Sequence, residues 1–160
     1  MTTQNAVSPI PAGYTSLTPY LVVDGGARAI EFYTSVFGAR LVTRNDGPDG
    51  TVAHAELDFG RGRLQLSDPA PDMGLIAPDG TNQVNHSYVL YCPDADARWH
   101  AAVAAGATPF EEPATFVTGD RFGALLDPFG HRWAIMTRVE DVSPEEAERR
   151  VNEWLASQEA

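Results

Sequence analysis

An internal repeat constrains this chain more than any other feature. Phe59-Gly60 recurs as Phe129-Gly130, and Asp24-Gly25-Gly26-Ala27-Arg28 is echoed by Asp94-Ala95-Asp96-Ala97-Arg98, both at a separation of 70 residues. Two echoes at one separation point to a duplicated module, so the two halves should share one succession of elements. The clearest copy is Asp127-Pro128-Phe129-Gly130-His131 followed by residues 132–136. Pro128 presets φ for a turn, Gly130 tolerates the left-handed conformation, and the following residues read as extended chain.

In the first copy, residues 17–23 are rich in β-formers, with Pro19 tolerable near a strand start. Asp24 is the expected cap of a helix. Ala27, Ile30, Tyr33, Thr34 and Phe37 form its apolar stripe, and Gly38 its stop. Residues 39–44 read as a strand, and Asn45-Asp46-Gly47-Pro48-Asp49-Gly50 as a turn. Residues 51–58 alternate, with Ala53, Ala55 and Leu57 on one face and Val52, His54, Glu56 and Asp58 on the other. Residues 63–67 close the module. The second copy offers a strand at 86–92, a helix at 94–105 ending at Gly106, and a short strand at 107–112 interrupted by Pro113. Extended chain bent around Gly119 and Gly123 follows, and the turn and strand of the opening stretch complete it.

The expectation is therefore an α+β fold with two βαβββ modules, 17–67 and 86–137, joined by a connector at 68–85 within one domain at 17–138. Neither module covers both faces of its own sheet, so the two should pair into a curved, cup-shaped sheet. Residues 1–16, with Pro9, Pro11 and Gly13, read as a flexible tail. Ser143-Pro144-Glu145-Glu146 is a capping box with proline at the first helical position, opening a C-terminal helix at 143–157. Its stripe of Ala147, Val151, Trp154 and Leu155 should dock on the domain or on a second subunit, and a homodimer is expected.

A formal charge of −11 argues against nucleic acid and anionic membranes as partners. It reads either as a solubilising surface or as a field that attracts a cationic ligand. No apolar run approaches the roughly 20 residues of a membrane span, and the start lacks a signal-peptide pattern, so a cytoplasmic location is expected. Cys92 is the single cysteine, which excludes an intrachain disulfide and a thiolate metal cluster.

The paired modules, the Ala29-Ile30-Glu31-Phe32-Tyr33 helix leading to Val36-Phe37-Gly38-Ala39, and the Asp127-Pro128-Phe129-Gly130-His131 turn resemble the vicinal oxygen chelate superfamily. That group includes the glyoxalase I, bleomycin-resistance and extradiol dioxygenase families. Pro48-Asp49-Gly50, His54-Ala55-Glu56-Leu57 and Val142-Ser143-Pro144-Glu145-Glu146 resemble its PhnB-like branch. The resemblance implies a divalent metal in many members, held by one residue from the first and last strand of each module. Here those places fall near Thr18, Gln65, Ser87 and Ala134, which are poor ligands, and a one-residue shift adds only His86. No metal and no cofactor are expected.

His54 and Glu56 share a strand face by their i, i+2 spacing and are the candidate acid-base pair, or else two polar residues on a wet face. Tyr20, Gln65, Tyr91 and Met136 are candidate ligand-binding residues, inward if Thr18 and Ser87 are. Arg121 is a candidate clamp for a ligand carboxylate, or a partner for Asp120. His131 reads as a turn or rim residue. The leading expectation is a metal-independent small-molecule-binding protein that sequesters a natural-product or cationic ligand. The alternative is an isomerase or lyase of the same superfamily, using His54 and Glu56 or a metal.

Overall fold

Each half of the chain builds its own four-stranded sheet, and the two sheets have the same topology. The computed structural model describes residues 7–158, and contacts divide the chain into two units, Met1–Ala77 and Pro78–Ala160. The first holds β1 (Tyr20–Val22), α1 (Gly26–Ser35), β2 (Arg40–Asp46), β3 (Val52–Asp58) and β4 (Arg63–Ser67). The second holds β5 (Tyr88–Tyr91), α2 (Ala95–Ala104), β6 (Thr108–Thr115), β7 (Asp120–Leu126), β8 (Arg132–Arg138) and α3 (Pro144–Gln158). Strand orders β1-β4-β3-β2 and β5-β8-β7-β6 are the same permutation, each with one parallel pair and two antiparallel ones. The fold class is α+β, two mixed four-stranded sheets with three helices. Residues 1–6 of the expected tail lie outside the described residues.

In the first unit, Leu21, Ala55, Leu57, Leu64 and Leu66 are buried on one face of the sheet, with Ala29, Ile30, Phe32 and Tyr33 of α1. Phe32, Tyr33 and Phe37 interlock, with ring centroids 5.2 to 5.8 Å apart. The apolar stripe of α1 starts at Gly26 rather than Ala27, which is exposed. The expected Asp24 cap is absent from α1, whose capping residue is Gly25.

A distant carboxylate does the capping. Asp68 Oδ1 accepts from the Gly25 and Gly26 amides at 2.9 and 2.8 Å, while Oδ2 accepts from Val52 at 2.7 Å. One side chain thus ties the start of α1 and the start of β3 to the end of β4. Gly26 is required there, because a Cβ would stand 2.8 Å from both Val52 Cβ and Asp68 Oδ2. The second unit solves the same problem with Thr137, whose hydroxyl accepts from Ala95 N and donates to the Cys92 carbonyl, both at 2.8 Å. There Asp94 does cap its helix, accepting from Ala97 N at 2.9 Å.

Several strands differ from the sequence reading in extent or in phase. β1 is short, since Pro19 has no amide to donate, although its carbonyl accepts from Gln65 N at 3.0 Å. In β3 the pairing steps from Asn45↔His54 to Asp46↔Val52, leaving Ala53 as an extra residue. That bulge turns Val52 into the core and Ala53 outward, reversing their expected faces. β5 begins at Tyr88, two residues later than His86. β6 runs through Pro113, which sits in a register shift between Glu111 and Ala114 on an edge strand, where a missing amide breaks no ladder bond.

The turn before β8 closes on Asp127, which is buried and accepts from Phe129 N and His131 N at 2.9 Å and from Trp133 Nε1 at 2.8 Å. α3 is capped by Ser143, which accepts from Glu146 N at 3.2 Å. No residue of α3 is buried. The helix is held by Trp154 against Phe116, ring centroids 5.2 Å apart, and by Arg150 on both Glu140 oxygens at 2.9 and 2.8 Å. Arg149 and Arg150 push the Glu146 carboxyl down to about 2. Among the described residues no helix is long and apolar enough to cross a membrane.

Replacing Asp68 with alanine leaves three backbone donors without their acceptor and should cost about 2–3 kcal/mol in denaturant unfolding. Asp68→Asn, keeping one acceptor oxygen, should lose less. Equal losses would show that hydrogen bonding to Asp68 is not what fixes this junction.

Candidate functional site

The register of the first sheet sets Tyr20, Gln65, Glu56 and Thr43 in one row across β1, β4, β3 and β2. Neighbours in a row share a face, and here it is the face turned away from the buried leucines. His54 and Arg63, each two residues from a member of the row, lie on that face too.

Glu56 is the centre of the group. The Tyr14 hydroxyl lies beside its carboxylate and lowers its pKa, Arg63 Nη1 donates to Oε2 at 3.2 Å, and His54 Nε2 stands 3.6 Å from Oε1. The last is an electrostatic contact longer than a full hydrogen bond. Gln65 Nε2 donates to the Tyr14 hydroxyl at 3.4 Å, which sets amide, phenol and carboxylate side by side. The Arg63 guanidinium lies over the Tyr14 ring, 4.6 Å from its centroid. Tyr20 and His54 are in ring contact at 5.9 Å. Beside them opens a groove of about 660 Å³, walled by Pro9, Ile10, Pro11, Tyr14, Glu56 and Gln65.

The Tyr14 hydroxyl holds the Glu56 carboxyl below the usual range; burial opposes this, and His54 and Arg63 reinforce it. An ionised, weakly basic carboxylate results. It suits anchoring a hydrogen-bond donor better than abstracting a proton.

Four of the residues singled out from sequence, Tyr20, His54, Glu56 and Gln65, are therefore brought together in the first unit. Tyr14 and Arg63 join them without having been singled out. Arg63 was detectable, because it stands two residues before Gln65 on one strand. Tyr14 carried no periodic signal.

In the second unit, Tyr91 and Met136 face each other across β5 and β8, with Phe122 next in the row. The Tyr91 hydroxyl donates to Asp120 Oδ1 at 3.2 Å, and burial together with that negative charge pushes its pKa up. Arg121 is placed elsewhere. It pairs with Thr137, one step out of phase with Phe122 and Met136, and so lies on the opposite face. Its partner is Asp96 of α2, bound through two contacts of 2.5 and 2.6 Å, rather than Asp120. His131 is buried in its turn instead of standing at a rim, with ring centroids 6.1 Å from both His86 and Tyr88.

The positions that hold a metal in related folds do not fit one here. Thr18 and Gln65 line the groove with neutral oxygens and an amide, Ser87 Oγ donates to the Arg132 carbonyl at 3.4 Å, and Ala134 pairs with Val89. Among the described residues there is no group of three or more His, Cys, Asp or Glu able to hold a metal ion. The neighbouring donors His54 and Glu56 are only two, short of the three protein ligands a catalytic metal site normally has.

The family model of the Glyoxalase/Bleomycin resistance protein/Dioxygenase superfamily matches residues 14–135. An uncharacterized protein of Mycobacterium bovis is 36% identical over 134 residues, covering 82% of this chain and 88% of that protein. An uncharacterized protein of Mycobacterium tuberculosis has the same identity, covering 82% and 79%. Three solved structures are alike in fold. TioX from Micromonospora sp. ML1 is 23% identical with a TM-score of 0.60, covering 78% of this chain and 98% of that one. A PhnB protein from Bacillus cereus is 19% identical with a TM-score of 0.61, covering 77% and 99%. The fosfomycin resistance protein FosX from Listeria monocytogenes is 10% identical with a TM-score of 0.63, covering 83% and 97%.

The Tyr14–Glu56 contact makes a pH prediction. With its folded-state pKa depressed, Glu56 stabilises the fold above its unfolded-state value, and that contribution fades as pH falls through the folded value. Tyr14→Phe should raise the Glu56 midpoint in a carboxyl-carbon NMR titration toward the ordinary glutamate value. An unmoved midpoint would assign the shift to Arg63 and His54.

Proposed function

The chain belongs to the glyoxalase/bleomycin resistance/dioxygenase superfamily, and from that premise we propose that it is a metal-independent small-molecule-binding protein. Its binding site is the groove beside Glu56 in the first unit. The observation that carries this reading is an ionised carboxylate in the wall of a drug-sized groove, supported by a phenol, an amide and a guanidinium. A carboxylate offers about four lone-pair positions, and Tyr14, Arg63 and His54 address three of them. The remaining position and the Gln65 carbonyl call for a ligand that donates hydrogen bonds, best of all a cationic amine. The formal charge of −11 favours the approach of such a ligand. Bleomycin resistance in the family's name, and fosfomycin resistance in that of a structural neighbour, make antibiotics the natural first panel. We take the protein to work as a cytoplasmic homodimer with no nucleic-acid or membrane partner.

The contact of His54 Nε2 with Glu56 Oε1 at 3.6 Å favours one other reading, an isomerase or lyase with His54 as base and Glu56 orienting it. A metal-dependent version finds no group of three His, Cys, Asp or Glu to support it among the described residues.

A thermal-shift panel of amine-bearing antibiotics and neutral analogues separates these readings. Binders should raise the melting temperature, and Glu56→Gln should weaken the best of them about tenfold or more. A panel without binders, or binding indifferent to Glu56→Gln, would contradict the proposal. Turnover of any binder, abolished by His54→Ala while binding persists, would favour the enzyme.

A further inference from the structure

Part of the groove is built by chain that precedes the family match. The matched region begins at residue 14, yet Pro9, Ile10 and Pro11 form one wall of the cavity. Two prolines fix φ at two of these three positions, so the wall is ordered at low entropic cost. The Tyr14 amide donates to the Pro11 carbonyl at 3.1 Å, closing a turn around Gly13. Gly13 has φ +83° and lies so close to Arg63 that a Cβ would stand 2.7 Å from Nη2. The attachments of this segment to the sheet converge on Gly13 and Tyr14. The phenol hydroxyl meets Glu56 and Gln65, and its ring lies beneath Arg63. Ile10 remains 43% exposed, leaving apolar surface inside a groove whose other wall is polar.

We propose that residues 9–16 are a strap, latched by Tyr14, that seats an amphiphilic amine with its apolar body on Pro9, Ile10 and Pro11 and its ammonium on Glu56 and Gln65. This rests on the binding reading given above and adds the ligand's second half. An apolar body is demanded because, among the described residues, nothing else covers Ile10 and the proline rings, and burying them is favourable in proportion to the area removed from water. An ammonium head is demanded by the ionised carboxylate facing them.

The test uses the full-length protein with phenylbutylamine and its neutral isostere phenylbutanol, read by calorimetry and by hydrogen exchange of residues 7–16. The amine should bind about tenfold more tightly than the alcohol, and Glu56→Gln should remove that difference. Ile10→Ser should weaken both compounds about equally, by roughly fivefold, because it acts on the shared apolar body. Tyr14→Ala should speed exchange in the ligand-free strap by about tenfold or more, and the amine should slow it in the natural protein. If the amine binds through Glu56 but Ile10→Ser and Tyr14→Ala change neither affinity nor exchange, the strap is overturned and the binding site stands. If exchange responds to Tyr14→Ala but the amine does not bind, the latch stands and the assigned ligand class is overturned.

Discussion

Because successive side chains of a strand point to opposite faces, burying Leu21, Leu57, Leu64 and Leu66 beneath α1 drives Tyr20, Glu56, Arg63 and Gln65 onto the other face of the same sheet. The site is thus a by-product of the core's register. A one-residue slip of β4 against β3 would bury Arg63 and Gln65 and expose two leucines, so the core protects the site's geometry more strongly than the site's own contacts do. Asp68 secures that register at its open end by holding the starts of α1 and β3 to the end of β4. The second unit reaches the same topology with a threonine hydroxyl in place of the carboxylate. Duplication here preserved the fold while the joints diverged.

Within that frame the electrostatics concentrate on one side chain. Glu56 is half-buried, and the hydroxyl and guanidinium beside it favour its charged form over the desolvation that opposes it. A carboxylate held this way is a fixed acceptor, ready to meet a donor without reorganising. The second unit carries a different arrangement on the corresponding face, where Asp120, two residues from Phe122, accepts from the Tyr91 hydroxyl and pairs in register with Arg138. Its Tyr91 and Met136 share a row, while Arg121 is committed to α2 through Asp96. Both copies thus set a tyrosine and a carboxylate on this face, and they differ in the neighbours, His54 and Gln65 in the first and Met136 and Phe122 in the second.

Much of this was legible in the sequence wherever alternation was unbroken. Residues 63–67 read as β4 to the residue, and the parity of β3 from His54 onward put His54 and Glu56 on the correct face. Legibility failed where the determinant was not local. The bulge at Ala53 is visible only in the pairing with β2, so Val52 and Ala53 were assigned to the wrong faces. The cap of α1 comes from a residue more than forty positions downstream, so Asp24, which copies the pattern of Asp94, misled. Arg121 was misplaced because the phase of β7 is set by its pairing with β8, and Gly119 and Gly123 hide that phase in the sequence. Tyr14 sits among prolines and small polar residues, where no periodicity marks a functional side chain. The family resemblance pointed to Thr18, Gln65, Ser87 and Ala134, whose side chains are weak or apolar as metal ligands.

The central claim is that a small molecule is held by the Glu56 row of the first unit. An NMR titration with the tightest binder found measures this most directly, following side-chain carboxyl, amide and aromatic resonances. Saturable shifts centred on Glu56, Gln65 and Tyr14 are the expected result. Shifts centred instead on the second unit's groove around Asn85, His86 and Arg132, with the Glu56 row unmoved, would contradict it.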